Sequence, residues 1–249
     1  MRLPSALTGA AFLVAATASA AVLFPEPLHI VRESTDPISG ITSTVDEYCS
    51  GDRIATVSGA VTVIADYARG EVTEIDRGRG TFSITAFEDI ARAAVSHGAQ
   101  PVAKSRSEPR TRGIRQAADG RQLESYEFAN ADGDQQIVVT VGVDRKMHIS
   151  AAAAEALIGA AFPNRRSFVH DAIMRASGPD VALPSEHTIS YELGGEKLVF
   201  RSAITAIDRQ LAPEEVLAIP PGSRRVESRL TSVPRATQEL DRLPRPEPQ

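Results

Sequence analysis

The feature that most constrains the fold of this chain is a run of short β-type segments between Ile41 and Phe87. It reads ITSTVDEYCSGDRIATVSGAVTVIADYARGEVTEIDRGRGTFSITAF. Segments rich in Val, Ile and Thr alternate with turn-forming residues about every seven to eleven positions. The turn signals are Gly51-Asp52, Ser58-Gly59, Arg69-Gly70 and Gly78-Arg79-Gly80. This spacing predicts an antiparallel meander, because tight turns join strands that run in opposite directions.

Side-chain alternation within this run indicates strands with one buried side. Val61 and Val63 alternate with polar residues in the segment VTVIAD, where Ile64 is the apolar exception. Phe82 and Ile84 repeat the pattern in the segment TFSIT. A period of two is typical of a half-buried strand, so these residues are expected to face the interior.

Helical spacing is predicted for Phe87–Val95, for Ser150–Ala161 with Ser150 as the N-cap, and for Phe168–Ala176. Two further hairpins are predicted, one joining residues 122–129 to 136–143 and one joining 187–193 to 197–207. Together these elements predict an α+β fold that is mainly antiparallel β. A long curved sheet with helices packed on its concave face can enclose an apolar cavity.

The N-terminus has the features of a secretory signal peptide. Met1–Ala20 combines the basic Arg2, an apolar stretch and the small residues Ala18-Ser19-Ala20. Cleavage is expected before Ala21, and an uncleaved membrane anchor is the alternative. The protein is therefore expected to be exported, to the periplasm or beyond the cell. Residues 21–230 are predicted to form a single domain, and the Pro-rich residues 231–249 a disordered tail.

Composition excludes some classes of partner. The chain has 249 residues and a net charge of −5, with no long basic block, so a nucleic-acid partner is not expected. The nearest basic run, Arg106–Arg115, is interpreted as a solvated loop, with an anion-binding patch as the alternative. The single cysteine, Cys49, is expected to be a small buried apolar residue; a reactive or intermolecular thiol is the other interpretation.

Motifs that carry chemistry are not found. The five histidines do not lie at metal-ligand spacing, and no cysteine pair accompanies them, so neither a metal nor a cofactor is expected. Nucleophile-elbow, phosphate-loop and dinucleotide-binding motifs are absent from the sequence. His170 beside Asp171 could act in catalysis, but a structural histidine is the preferred interpretation. The chain is therefore predicted not to be an enzyme.

Three stretches resemble a known family. Val61–Ile84 resembles the strand repeat of exported lipoprotein carriers of the LolA and LppX type, in which strands ending in Asp alternate with Gly turns. Thr111–Phe128 resembles the segment that crosses to the next strands of those proteins. Leu211–Val226 resembles their final turn, where a hydrophobic residue precedes Pro-x-Gly. The resemblance implies an incomplete β-barrel that wraps helices, a hydrophobic cavity for acyl chains, and no catalytic residues.

The leading hypothesis is a noncatalytic envelope protein that binds a lipid or another hydrophobic ligand. Its candidate cavity positions, taken from the alternation of the strands, are Val61, Val63, Phe82, Ile84, Tyr126, Phe128, Val139, Val141, Ile189, Tyr191, Leu198 and Phe200. The alternative is that these side chains pack into an ordinary hydrophobic core and line no cavity. Two other functions stay open: a structural or sensory module that binds an envelope protein, and a secreted hydrolase. After cleavage of the signal, the protein is not expected to be integral to the membrane.

Overall fold

A computed structural model describes residues 22–35, 39–96, 108–132, 135–161, 168–178, 181–193 and 196–231. The predicted signal peptide, residues 1–20, lies outside the described residues. All but the first residue of the predicted tail, 231–249, lies outside them too, as do the turn at 194–195 and part of the turn at 130–134.

The described residues form one large sheet and four helices. The strands are β1 (Phe24–Thr35), β2 (Thr42–Gly51), β3 (Arg53–Ser58), β4 (Val61–Asp66), β5 (Glu71–Asp76), β6 (Thr81–Ala86), β7 (Arg110–Gln116), β8 (Gln122–Asp132), β9 (Gln135–His148), β10 (Ala182–Leu193), β11 (Glu196–Asp208) and β12 (Arg224–Arg225). The helices are α1 (Phe87–Ser96), α2 (Ala151–Ala161), α3 (Phe168–Ser177) and α4 (Glu214–Leu217).

The strands follow the order β12-β6-β5-β4-β3-β2-β1-β11-β10-β9-β8-β7. Every pairing is antiparallel except that of β12 with β6, and the described strands do not close into a barrel. The mainly antiparallel β fold predicted from the sequence is therefore confirmed, in a single open sheet.

Strands β2 to β6 form the predicted meander, and its turns fall where the glycines predicted them. Gly59 and Gly70 have φ angles of 56° and 66°, a left-handed conformation that only glycine adopts without strain. The predicted loop at Arg106–Arg115 is wrong in part, because Arg110–Gln116 form the last strand of the sheet, β7. That strand is short, rich in arginine and almost wholly exposed, as edge strands commonly are.

Strand register divides the sheet into two faces. One face carries Ile30, Ile54 and Val139 and contacts α2 and α3; we call it the helix face. The other, which we call the opposite face, carries a smaller cluster of Ala55, Ile64 and Ile75. Ile64 is thus apolar because both sides of β4 are covered.

The main core lies on the helix face. Buried residues of α3, such as Phe168 and Ile173, pack against Phe128, Val139 and Val141. A second cluster joins α2 to the strands nearer the N-terminus; its members are Phe24, Ile30, Cys49, Ile54, Ala153, Ala156, Leu157, Leu183 and Ile204. Burial of apolar area at this scale is the dominant favourable term in folding.

Two local predictions are confirmed. The hydroxyl of Ser150 accepts a hydrogen bond from the backbone N–H of Ala153 at 3.0 Å, which makes Ser150 the N-cap of α2. Cys49 is 1% exposed and forms no disulfide, and burial raises the pKa of its thiol, so it is a buried apolar residue. None of the helices in the described part of the chain has the length and hydropathy that crossing a bilayer requires.

Residues 209–231, which we call the C-terminal segment, run from the opposite face to the helix face. Val216 of α4 packs against the cluster on the opposite face, and the Arg77 guanidinium binds the carbonyls of Glu215 and Val216. The N–H groups of Arg224 and Val226 then donate to the carbonyls of Gly80, just before β6, and Phe82 of β6. Beyond this edge, the Ser228 hydroxyl donates to Glu74 on the helix face at 3.0 Å.

Candidate functional site

The register places ten of the twelve candidate cavity residues on the helix face; these are Val61, Val63, Tyr126, Phe128, Val139, Val141, Ile189, Tyr191, Leu198 and Phe200. Phe82 and Ile84 lie on the opposite face, because Phe82 is directly across from Ile75. Alternation thus indicates which residues of one strand share a face. It does not indicate which face of the next strand lies on the same side of the sheet.

The ten residues on the helix face are not brought together. Phe128, Val139 and Val141 are fully buried beneath α3, with Tyr126 and Ile189 packed beside them. These five contribute to the α3 core.

Val61 and Val63 are half-buried on β4, seven strand positions from β8. Adjacent strands are about 4.8 Å apart, so this separation is about 30 Å along the sheet. Tyr191, Leu198 and Phe200 are half-buried at the far end of the β10–β11 hairpin. The three groups therefore do not line one shared cavity.

A groove opens instead where β6, α1 and the end of the C-terminal segment meet. Its volume is about 570 Å³, within the usual range for small-molecule sites. It is lined by Ile84, Thr85, Asp89, Arg92, Ala93, Arg225, Val226, Glu227, Ser228 and Thr231. Ile84 is the only one of the twelve candidate positions among these lining residues.

Thr85 is the most unusual residue of the groove. It is 7% exposed, and its Oγ1 atom has no hydrogen-bond partner within the described structure. Ser83, two residues earlier on the same face of β6, donates to the Glu74 carboxylate at 3.1 Å. Buried polar groups are nearly always paired in folded proteins, so this hydroxyl is an exception among the described residues.

Four charged side chains line the groove. Arg92 pairs with Asp89 at 2.8 Å within the first turns of α1. Arg225 and Glu227 form no ion pair with any residue that the structure describes. Arg225 and Glu227 are therefore the two groove charges that have no ion-pair partner among the described residues.

Hydrogen bonds hold both walls of the groove in place. Glu74 accepts from the hydroxyls of Ser83 and Ser228, which fixes the C-terminal segment against β5 and β6. On the other wall, the Phe87 ring at the start of α1 packs edge-on against Tyr67, with ring centroids 5.3 Å apart. The Tyr67 hydroxyl donates to the Ala156 carbonyl of α2 at 3.0 Å, so α1 is tied to the main core.

The buried histidines have structural surroundings. His29 stacks on Tyr48, and its two ring nitrogens face the carboxylates of Asp208 and Asp46 at 3.2 and 3.0 Å. These contacts join β11, β1 and β2. His187 lies inside the sheet-helix interior, where burial, with a smaller contribution from Arg32, lowers its pKa to about 3 and keeps it neutral at physiological pH.

The proposed partnership of His170 with Asp171 is not formed. His170 Nε2 instead faces Glu155 Oε2 at 2.9 Å, which joins α3 to α2, while Asp171 faces Arg175 on its own helix. In the part of the chain that the structure describes, no three His, Cys, Asp or Glu residues are grouped so as to hold a metal ion. No local pattern indicates the groove, because its walls come from parts of the chain about 140 residues apart.

Comparisons with known proteins add little. No family model matches the chain, and no curated protein matches it. Among solved structures, PNGF-II is similar to this chain with a TM-score of 0.37 and 8% sequence identity. That match covers 83% of this chain and 32% of PNGF-II, so the chain spans about a third of that protein's length. A likeness at this level says nothing about the activity of the chain.

Proposed function

We propose that this chain is a noncatalytic, exported protein of the cell envelope that binds a hydrophobic or amphipathic ligand in the groove between β6, α1 and the C-terminal segment. The observation that carries the proposal is the groove itself. Its lining includes the apolar residues Ala93 and Val226, and the buried Thr85, whose hydroxyl has no partner among the described residues, also lines it. Small-molecule sites commonly combine such an apolar surface with a few convergent polar groups.

The sequence and the sheet support the remaining parts of the proposal. The signal-like Met1–Ala20 supports export, and the resemblance to lipoprotein carriers supports a lipid or acyl chain as the ligand. The open sheet with α2 and α3 on one face fits a curved, incomplete barrel around helices. The site moves, however, from the centre of the helix face to its β6 end.

A direct test is titration of the delipidated protein with a fluorescent fatty-acid analogue. Saturable binding at one site is expected, and it should weaken several-fold in Val226→Asn, which places a polar group at an apolar position of the groove lining. The matched control is Ile114→Asn, since Ile114 lies 71% exposed on β7, far along the sheet. Absence of saturable binding by the native protein would refute the function. Equal effects of the two variants on binding would refute the location of the binding site in the groove.

A second candidate, a module that binds an envelope protein, is favoured by strand β7. This strand ends the sheet, is nearly all exposed, and carries Arg110, which forms no ion pair among the described residues. Such an edge can accept an extended acidic segment of a partner as an added strand. A peptide of alternating Val and Glu should then bind, and one of alternating Val and Lys should not. Equal behaviour of both peptides would exclude this mode.

A further inference from the structure

Strand β7 leaves one edge of the sheet open. It is the last strand in the sheet order, and its outer side has no partner strand among the described residues. On an edge strand, the N–H and C=O groups of alternate residues point away from the sheet and can pair with another chain. Ile114 of β7 is 71% exposed, more than any other large apolar side chain in the described part of the chain. The edge therefore offers a partner both backbone groups and an apolar contact.

Two of the three arginines of β7 are neutralised within the chain itself. The Arg112 guanidinium lies 2.6 Å from the Glu127 carboxylate of β8, and the Arg115 guanidinium lies 2.5 Å from the Glu186 carboxylate of β10. Arg110 is the one that forms no ion pair with any described residue. Most of the positive charge along this edge is therefore compensated, so a second strand with the same sequence is not strongly repelled.

Few registers allow β7 to pair with its own copy around a two-fold axis. Directly opposite residues of antiparallel strands lie on the same face of the sheet, so the axis must pass through a residue that faces itself. The bulge between Thr111 and Gly113 leaves residues 113–116 for regular pairing, and only Ile114 and Arg115 are central within them. An axis at Arg115 would place like charges directly opposite one another, which is destabilising. An axis at Ile114 pairs the two isoleucines and sets each Arg115 opposite a glycine, Gly113 of the other copy.

We infer that this protein forms a symmetric dimer in which β7 pairs with β7 of a second copy, with the two-fold axis at Ile114. The two sheets then continue into one, and the two Ile114 side chains cover one another on the helix face. In this register Arg110 comes next to the turn at residues 117–120 of the other copy, which carries the acidic Asp119. The dimer does not involve the groove. It occupies the edge that the second candidate function assigns to an acidic segment, so the two occupants exclude one another.

Sedimentation equilibrium of the native protein, over a roughly hundredfold range of concentration, tests the dimer. A reversible equilibrium between monomer and dimer is expected. Hydrogen exchange provides a second measurement, because backbone amides of residues 113–115 should exchange more slowly as the protein concentration rises.

Charge substitutions at the axis test the register. Ile114→Asp and Ile114→Lys should each weaken the dimer by roughly tenfold, because each variant places two like charges directly opposite one another. Mixing the two variants should restore dimers, because an acidic side chain then faces a basic one. The matched control is Ile41→Asp, since Ile41 is 67% exposed and lies just before β2, away from β7. Circular dichroism would establish that all three variants fold.

Three results would overturn the inference. The first is a native protein that stays monomeric at every concentration; if it also binds the peptide of alternating Val and Glu, the edge serves an acidic partner instead. The second is a dimer that Ile114→Asp and Ile41→Asp weaken equally. The third is a mixture of folded Ile114→Asp and Ile114→Lys that forms no more dimer than either variant alone. None of these results bears on fatty-acid binding in the groove, so the dimer and the proposed function fail separately.

Discussion

The substitution Thr85→Val tests the groove without any ligand. Valine has nearly the shape of threonine but lacks the hydroxyl, and the Thr85 Oγ1 atom is buried without a hydrogen-bond partner among the described residues. A buried, unsatisfied hydroxyl is destabilising by about 1–3 kcal/mol. We use the lower end of that range. The variant should therefore raise the free energy of unfolding by about 1 kcal/mol.

Thr62→Val provides the matched control. Thr62 is 1% exposed on β4, and its Oγ1 accepts a hydrogen bond from Arg77 at 2.6 Å. The same substitution there removes a bond to a charged donor and should lower the free energy of unfolding by about 2 kcal/mol. Thus one chemical change at two buried threonines is expected to give opposite signs.

Urea denaturation followed by far-ultraviolet circular dichroism measures both variants, since the chain lacks tryptophan. With an m-value of about 2 kcal/mol/M, a gain of 1 kcal/mol raises the midpoint by about 0.5 M. An unchanged m-value would show that the substitution acts on stability rather than on the compactness of either state. If Thr85→Val destabilises the protein as much as Thr62→Val does, its hydroxyl is satisfied, and the argument from the groove wall is refuted.

Three further predictions concern groups away from the groove. Cys49 should react with a thiol reagent in denaturant but only very slowly in the native protein, because burial raises its pKa and blocks access; fast native labelling would contradict this. The pKa of His187 is lowered to about 3, so between pH 6.5 and 3 the unfolded state binds a proton that the folded state does not. Stability should therefore fall as the pH drops, by about 1.5 kcal/mol between pH 6.5 and 5, and His187→Gln should flatten that slope in urea titrations; an equal slope would contradict it. Gly142→Ala should lower the free energy of unfolding by about 1–3 kcal/mol, because the new Cβ would lie 3.0 Å from Arg115 Nη2 and 3.1 Å from Leu123 Cδ1; an unchanged urea midpoint would show that both neighbours give way.

The meander could be predicted because its turns and strands depend on residues that lie close together in the sequence. Gly59 and Gly70 fix their turns through their own backbone angles, and Val61 and Val63 take the face that their strand pattern indicates. Ser150 caps α2 through a bond to a residue three positions away. Each of these features depends on a few neighbouring residues, so a single sequence contains enough information to predict it.

Features that depend on distant segments were not predicted. Ile64 is buried on the opposite face because Val216, about 150 residues later, brings α4 over that face. His170 is paired with Glu155 rather than with its neighbour Asp171, because the packing of α3 against α2 decides its partner. The groove likewise lies between β6, α1 and the C-terminal segment, and no local pattern indicates that these segments come together.

The way in which the C-terminal segment covers β6 also limits how the sheet can assemble. A sheet with two open edges can stack end to end into a filament, because each added copy presents a new edge. Here the N–H groups of Arg224 and Val226 already donate to the carbonyls of Gly80 and Phe82 at the start of β6, and the two-residue β12 is a very short edge. Edge-to-edge association through the described strands is therefore restricted to β7, so it would stop at a dimer of two copies joined through β7. Removal of the C-terminal segment should also expose the edge of β6, so that edge-to-edge association continues beyond a dimer into a filament.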